Sequence, residues 1–504
     1  MSVSTRRLAV YGAVVFAASA LVLVIEIVAA RLIAPFVGVS LYSWTAIIGV
    51  ILAGLSLGNW LGGVWADRGG ANRAAGITLL AAGLSAFAVL LILPRLAEPL
   101  QAAEFSLATT SLILAGALFF IPAALLGVIT PLLTTLALRE SARPGHVVGL
   151  MHALAALGSI LGTFVTGFWL VQWIGSRNIV LATGILLVLL SLPLLRRGRD
   201  VAAGAMAGLL GVLLAGFLGY PDPCQRESGY FCLRVVDSST EAPFGEARSL
   251  VLDHLIHGTN HREAPELLLA PYLHLMDELM LRQLTDRPAG RYFFAGGGAY
   301  TLPRAVQARE PDARVTVAEL DPVVTEVATA KLYLDPAGPD IRHMDARAAL
   351  LREPKRDYDV VVGDVFHDIA VPYHLLTREF ATLVSDHLAP QGMYLMNVVD
   401  AFPDARLVKA VHGTLRQVFD DVDIWIDQLP DTPTRVTYVI SARNGGPGFP
   451  DQLNARQGMP RTWYRVTEPV LQAGLPLREI PLLSDDYAPV ERLLAQLFLG
   501  RQGR

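Results

Sequence analysis

Seven long apolar stretches, all before residue 220, constrain this chain more than any other feature. They run roughly over 9–33, 42–64, 75–94, 107–136, 147–173, 178–195 and 201–219. Each approaches or exceeds the ~20 residues a helix needs to cross a hydrocarbon core. A mean hydropathy of +0.45 over the whole chain agrees, being too high for a soluble protein. Arg6 and Arg7 precede the first stretch and no small-residue cleavage site follows it, so it reads as an uncleaved membrane helix. The fourth stretch is over-long and holds Pro122 and Pro131. It reads as one kinked or tilted span, because each half of a hairpin would be too short.

Glu26 lies inside the first span, where a carboxylate is costly unless paired; Arg31 or a neighbouring helix is the expected partner. Gly54, Gly58 and Gly62, and later Gly158 and Gly162, have the four-residue spacing of small residues that lets helices pack closely. Arginines 6, 7, 68, 73, 139, 143, 196, 197 and 199 alternate onto one side of the spans, against Arg31, Arg95 and Arg177 on the other. The first side is then cytoplasmic, and seven spans carry the C-terminal half outside. Cys224 and Cys232, the only two cysteines, follow the last span and either close a disulfide or remain separate thiols. These hints lean outward, and sidedness stays open. Net charge is −4 with no long basic run, which argues against nucleic acid as a partner.

The second half changes character. Residues 222–290 begin with short alternating runs, as in a small β unit, followed by a helical period over 264–286 that includes Tyr272. From 291 onward strands and helices alternate, predicting a mostly parallel Rossmann-like sheet with helices on both faces. The fold expected is therefore a multi-pass α-helical membrane domain over 1–221, a small β unit over 222–290 and an α/β nucleoside-binding domain over 291–504.

Ligands of such sheets bind at the strands' C-terminal ends. There the sequence places Gly296, Gly297 and Gly298 after one apolar strand, Glu319 after the next, then Asp345 and Asp364. The glycines let backbone approach a ligand, and Glu319 is spaced to accept ribose hydroxyl protons. Thr301 stands where a dinucleotide fingerprint needs glycine, so a single nucleoside such as an S-adenosyl group fits better than NAD. Asp345 either serves the site or caps the helix that follows it. Asp364 follows four apolar residues at an open strand end, with His367 and Asp368 next; Tyr373 and His374 line the mouth or fix the loop. No Cys/His spacing suggests zinc and no Gly-x-Ser-x-Gly elbow occurs, so metal chemistry is not expected.

At these residues the chain resembles the spermidine synthases, or polyamine aminopropyltransferases, in the bacterial form fused behind a multi-spanning membrane region. The resemblance spans about 225–445 for the catalytic fold, and Glu26, Arg31–Pro35, Gly158–Thr163 and Ser484–Val490 resemble the fused form. It implies ribose binding by Glu319, adenine contact by Asp345 and catalysis by Asp364. It places His257 where the family has a glutamine and Ala299 where the glycine loop has an aspartate. Of the family's Tyr-His-Glu only Tyr272 is recognisable. The residues that would hold the nucleoside are kept, whereas those that would hold the amines are largely replaced.

The function expected is aminopropyl transfer from decarboxylated S-adenosylmethionine to a putrescine-like amine, releasing 5′-methylthioadenosine, in polyamine biosynthesis. The nucleoside is a cosubstrate, and no resident cofactor is expected. Asp364 would orient or deprotonate the amine, with Tyr272 or Tyr373 assisting. Two alternatives stay open: methyl transfer from, or cleavage of, intact S-adenosylmethionine, and a membrane transporter whose soluble half senses a nucleoside. The surroundings expected are a bilayer, the inner membrane of a bacterium, with a homo-oligomer left open.

Overall fold

A computed structural model describes residues 3–68, 71–103, 105–195, 198–284, 290–367, 369–445 and 448–500. Arg196, Arg197 and Asp368 lie outside the described residues. The chain divides into two compact units, Met1–Cys232 and Leu233–Arg504.

The first unit is helical. It contains α1 (Val3–Val37), α2 (Leu41–Asp67), α3 (Ala71–Ala102), α4 (Leu107–Arg139) and α5 (Pro144–Val165). A π-helical turn over Thr166–Leu170 joins α5 to α6 (Val171–Ile174), and α7 (Ser176–Ser191) and α8 (Gly198–Leu218) complete it. With α5 and α6 taken as one rod, seven helices among the described residues are long and apolar enough to cross a membrane. α4 runs unbroken through Pro122 and Pro131. Sharp ends come from local chemistry: Ser40 and Ser43 form a reciprocal capping box that starts α2. Gly175, at φ +75°, separates α6 from α7.

The glycine spacing explains how the helices pack. α2 lies along α4, and α1 along α5. A Cβ at Gly58 would sit 2.0 Å from the Ala124 carbonyl oxygen; at Gly158 it would sit 2.1 Å from that of Phe16, and at Gly162 2.3 Å from that of Ala20. Helix backbones therefore touch directly at these points, and no side chain fits between them.

Arg31 does not turn to Glu26, the partner the sequence offered. Its guanidinium donates to the carbonyl oxygens of Tyr230 (2.6 Å) and Ser228 (2.9 Å). Arg31 lies close to the end of α1, so its long stem carries the charge beyond the apolar zone to unspent carbonyls. The same segment is held by Arg177, which donates to the Tyr220 carbonyl at 2.9 Å. The Ser176 amide and hydroxyl also donate to Glu227, both at 2.7 Å. Cys224 and Cys232 form a disulfide that closes this stretch.

After β1 (Arg226–Glu227), strands β2 (Cys232–Asp237), β3 (Ala247–Leu252) and β4 (Leu255–His261) give the small β unit expected. They pair as an antiparallel meander with a bulge between Leu250 and Val251. α9 (Pro271–Gln283) leads into the α/β part: β5 (Arg291–Ala295), α10 (Thr301–Arg309), β6 (Arg314–Ala318), α11 (Pro322–Lys331), β7 (Asp340–Arg342), α12 (Ala346–Leu350) and β8 (Tyr358–Gly363). Then follow α13 (Arg378–His387), β9 (Leu388–Phe402), α14 (Arg406–Leu415), β10 (Asp421–Ile426), β11 (Thr434–Arg443), β12 (Gln452–Asn454) and β13 (Thr462–Arg465).

One sheet holds nine strands in the order β12-β13-β10-β11-β9-β8-β5-β6-β7. From β9 to β7 it is parallel, with the order reversal of a doubly wound fold. From β9 to β12 it is antiparallel. The expectation of a mostly parallel sheet is thus half right. Strands buried on both faces read as the same apolar run in either direction, and β12 and β13 are too short and polar to show a period.

Gly58→Val should force α2 away from α4 and cost at least the ~1–3 kcal/mol of an overpacked core. In detergent this should lower the melting temperature by several degrees. Gly63→Val, on the same helix with nothing within 4 Å of its added Cβ, should leave melting nearly unchanged. Equal melting of the two variants would refute the close backbone contact.

Candidate active site

Strand register builds the site. Ala295 on β5 stands opposite Ala318 on β6 and Gly363 on β8, Ala318 stands opposite Arg342 on β7, and Gly363 opposite Met396 on β9. The residues that follow, Gly296, Glu319, Asp364 and Asn397, therefore emerge at one edge, with Asp345 just beyond β7. This is the C-terminal edge at which doubly wound sheets take their ligands.

The glycine loop is there for space. A Cβ at Gly296 (φ +92°) would lie 2.3 Å from the carbonyl oxygen of Asp364. At Gly297 it would meet the Tyr300 ring at 2.7 Å. Tyr300 itself adopts a left-handed conformation to start α10, and its hydroxyl meets that of Thr325 at 2.6 Å. Glu319 fixes the loop. One carboxylate oxygen accepts the Gly297 and Gly298 amides at 2.9 and 3.2 Å, and the other accepts the Asp321 amide at 2.9 Å. Burial raises its pKa while these three amides oppose the rise. Since a carboxylate offers about four acceptor positions, Glu319 retains capacity for a ligand hydroxyl.

Asp345 takes the capping role, one of the two that the sequence offered. One oxygen caps α12 through the Ala348 amide at 3.0 Å, and the other meets His374 Nε2 at 2.7 Å. Tyr373 is 59% exposed and sits edge-to-face with the His374 ring. Tyr373 thus packs on the His374–Asp345 pair.

Asp364 is a buried, perturbed acid of this edge. Oδ1 accepts a hydrogen bond from Asn397 Nδ2 at 2.9 Å, and Oδ2 a long one, 3.5 Å, from the Tyr272 hydroxyl. Desolvation pushes its pKa up to about 6, against the lowering effect of those two donors. Burial, then the Asp364 charge, holds the Tyr272 phenol well above its ordinary value, so it stays a donor. Asn397 is 3% exposed, and its Oδ1 has no hydrogen-bond partner among the described residues. A buried acceptor of that kind costs stability unless a ligand donor meets it.

Two residues that the sequence reading missed complete the edge. Asn397 could have been noticed as a lone amide within the apolar strand Tyr394–Val399. Asn260, 1% exposed on β4, donates to the carbonyls of Ala299 (2.7 Å) and Leu332 (2.9 Å) and accepts from Thr301 Oγ1 at 2.7 Å. It bolts the β meander over the glycine loop, a contact between distant segments with no local signal. His257, on the same strand, brings its carbonyl oxygen within 3.3 Å of the position a Gly298 Cβ would take. Burial first and Arg435 second push the His257 imidazole down to about 4, so it is neutral at pH 7.

The chain has sequence relatives among known proteins. No protein-family profile matches the chain. A probable polyamine aminopropyl transferase of Bifidobacterium longum is 28% identical over 214 residues, 39% of this chain and 47% of that protein. The polyamine aminopropyltransferase of Vibrio vulnificus is 29% identical over 134 residues, 26% of this chain and 44% of that protein. The chain thus spans about half the length of the curated relatives it matches. Among solved structures, a probable spermidine synthase from Corynebacterium glutamicum superposes over 52% of this chain and 95% of its own, at 19% identity and a TM-score of 0.44. Its sequence relatives in these comparisons are thus polyamine aminopropyltransferases, which it resembles over about half of their length.

Proposed function

We propose that the C-terminal unit transfers an aminopropyl group from decarboxylated S-adenosylmethionine to an amine, with release of 5′-methylthioadenosine, as in polyamine biosynthesis. The observation that carries this reading is the setting of Asp364: a desolvated carboxylate between a phenol and a buried amide, against the glycine loop. Glu319 accepts the ribose hydroxyls, and Asp345 lies at the adenine end. The acceptor amine donates to Asp364 and to the unused Oδ1 of Asn397, which turns its lone pair toward the donor.

Chemically the step is simple. The amine nitrogen forms a bond to the carbon beside sulfur, the carbon–sulfur bond breaks, and its electron pair neutralises the sulfonium. The nitrogen's proton passes to Asp364 and then to water. Because the sulfonium is its own leaving-group activator, the protein's task is alignment and a basic nitrogen. Tyr272 orients Asp364; Tyr373, exposed on His374, serves the mouth.

The surroundings of the chain follow from the first unit. The seven apolar helices support a multi-pass location in a bacterial inner membrane. The chain leaves its last span on the side that carries Arg31, Arg95 and Arg177, the side poor in positive charge, and a disulfide there fits an oxidising compartment. In intact cells, impermeant reductant and thiol reagent should label Cys224 and Cys232. Labelling only after lysis would put this segment in the cytoplasm.

Asp364→Asn should reduce methylthioadenosine release by ~10²-fold or more, in line with the loss of a general base. Wild-type turnover should fall tenfold per pH unit below about 6, and this limb should vanish in the variant. Full turnover by Asp364→Asn would refute the assignment.

Stability should move the other way. A carboxyl whose folded pKa is about 6, above its ordinary 3.8, gives stability that is complete at low pH and lost as pH rises through 6. Asp364→Asn should therefore melt higher than wild type at pH 8 and lose that advantage near pH 4. A variant less stable at pH 8 would show that Asp364 serves the fold.

A further inference from the structure

Beside the Asp364 site, on the same unit, lies a cavity of about 410 Å³ between α9 and the strands β10, β11 and β13. Tyr272 forms part of its wall, so the cavity adjoins the group that meets Asp364. Leu275 and Trp463 give it an apolar side, whereas Asp427, Gln428 and Arg435 give it a polar one. Its lining charges are thus one cation and one anion. The neighbouring imidazoles add none: burial, then Arg435, pushes His254 and His257 down to about 4, so both are neutral at pH 7.

A simple diamine could use Asp427 and Asp364 but would leave Arg435, in the same lining, without a counter-charge from the ligand. A guanidinium is suited instead to a carboxylate, which it can grip through two parallel hydrogen bonds. Asp427 and the nearby Asp364 remain for an amine.

We propose that this cavity holds the carboxylate of an amino-acid-like reactant on Arg435, with its apolar stem against Leu275 and Trp463. The inference rests on the transferase reading above: a carboxylate on the acceptor narrows its substrate class, and one on the donor would replace the decarboxylated donor by the intact one. The carboxylate has two sources. On the acceptor, an amino acid receives the aminopropyl group. On the donor, intact S-adenosylmethionine delivers its aminocarboxypropyl group. In both cases a nitrogen–carbon bond forms, the carbon–sulfur bond breaks, methylthioadenosine leaves and the nitrogen's proton goes to Asp364.

Matched pairs separate these sources, because ornithine differs from putrescine, and S-adenosylmethionine from its decarboxylated form, by one carboxylate. Each should be titrated calorimetrically into the full-length protein in detergent, acceptors in the presence of methylthioadenosine. One carboxylate-bearing member should bind at least about tenfold tighter than its partner, as expected for a charge-assisted hydrogen bond. Arg435→Gln should abolish that preference and Arg435→Lys restore part of it. Preference for ornithine assigns the carboxylate to the acceptor, and preference for the intact donor assigns it to the donor. Equal binding within both pairs, preference for the decarboxylated members, or a preference untouched by Arg435→Gln would overturn the proposal. Methylthioadenosine release from the four donor–acceptor combinations is a separate readout. Its absence from all four would refute the transferase reading, while the titrations still decide the carboxylate site.

Discussion

The second unit depends on one close approach: the backbone of Gly296 against the backbone of Asp364. Parallel pairing of β5 with β8 brings the two strand ends to the same level. Even a methyl group on Gly296 would lie 2.3 Å from the Asp364 carbonyl oxygen. That contact sets where the glycine loop turns, and the turn sets where its amides point. Glu319 accepts two of those amides, so the second strand end is tied to the first. Asn397, one strand further over, reaches Asp364 because Gly363 and Met396 are in register. The site is a consequence of strand pairing more than of any loop.

The first unit solves a different problem with the same residue. In a bilayer, where these helices are proposed to lie, apolar side chains would gain nothing from leaving lipid for protein, so helices would associate through shape and polar contact. Glycines 58, 158 and 162 bring backbone against backbone, whereas Gly296 admits a neighbouring strand end. Polar contacts gather where the helices end: the segment after α8 is gripped by Arg31, Arg177 and Ser176. Its disulfide then fixes a stretch with little apolar core of its own.

Most of the architecture was legible because its periods are strong. Seven apolar spans, and strands 291–295 and 358–363 buried along most of their length, stand out against charged surroundings. Gly296–Gly298, Glu319, Asp345 and Asp364 were legible as residue types at strand ends, and they do meet at one edge. Illegible were the features set by non-local pairing. Strand direction beyond β9 is one, since burial leaves no mark of polarity along a chain. The partners of Arg31 and Asn260 are others, lying up to 199 residues away. Tyr373, close to Asp364 in sequence, is exposed and packs edge-to-face on His374, a placement that its neighbours in the chain do not announce.

Asp364 carries the tension between folding and chemistry. A carboxylate shielded from water and facing an amide and a phenol is held in its charged form at a cost, which appears as a pKa near 6. Glu319 is also buried, yet three backbone amides compensate it, and the glycine loop depends on it. Two acids of one edge thus divide the work. Glu319 is satisfied by backbone amides of the glycine loop and its neighbour. Asp364 takes two side-chain donors, one of them long, and beside it the Asn397 Oδ1 has no partner among the described residues. On the proposed function, that contrast, more than the presence of either acid, separates the scaffold of this site from its reacting group.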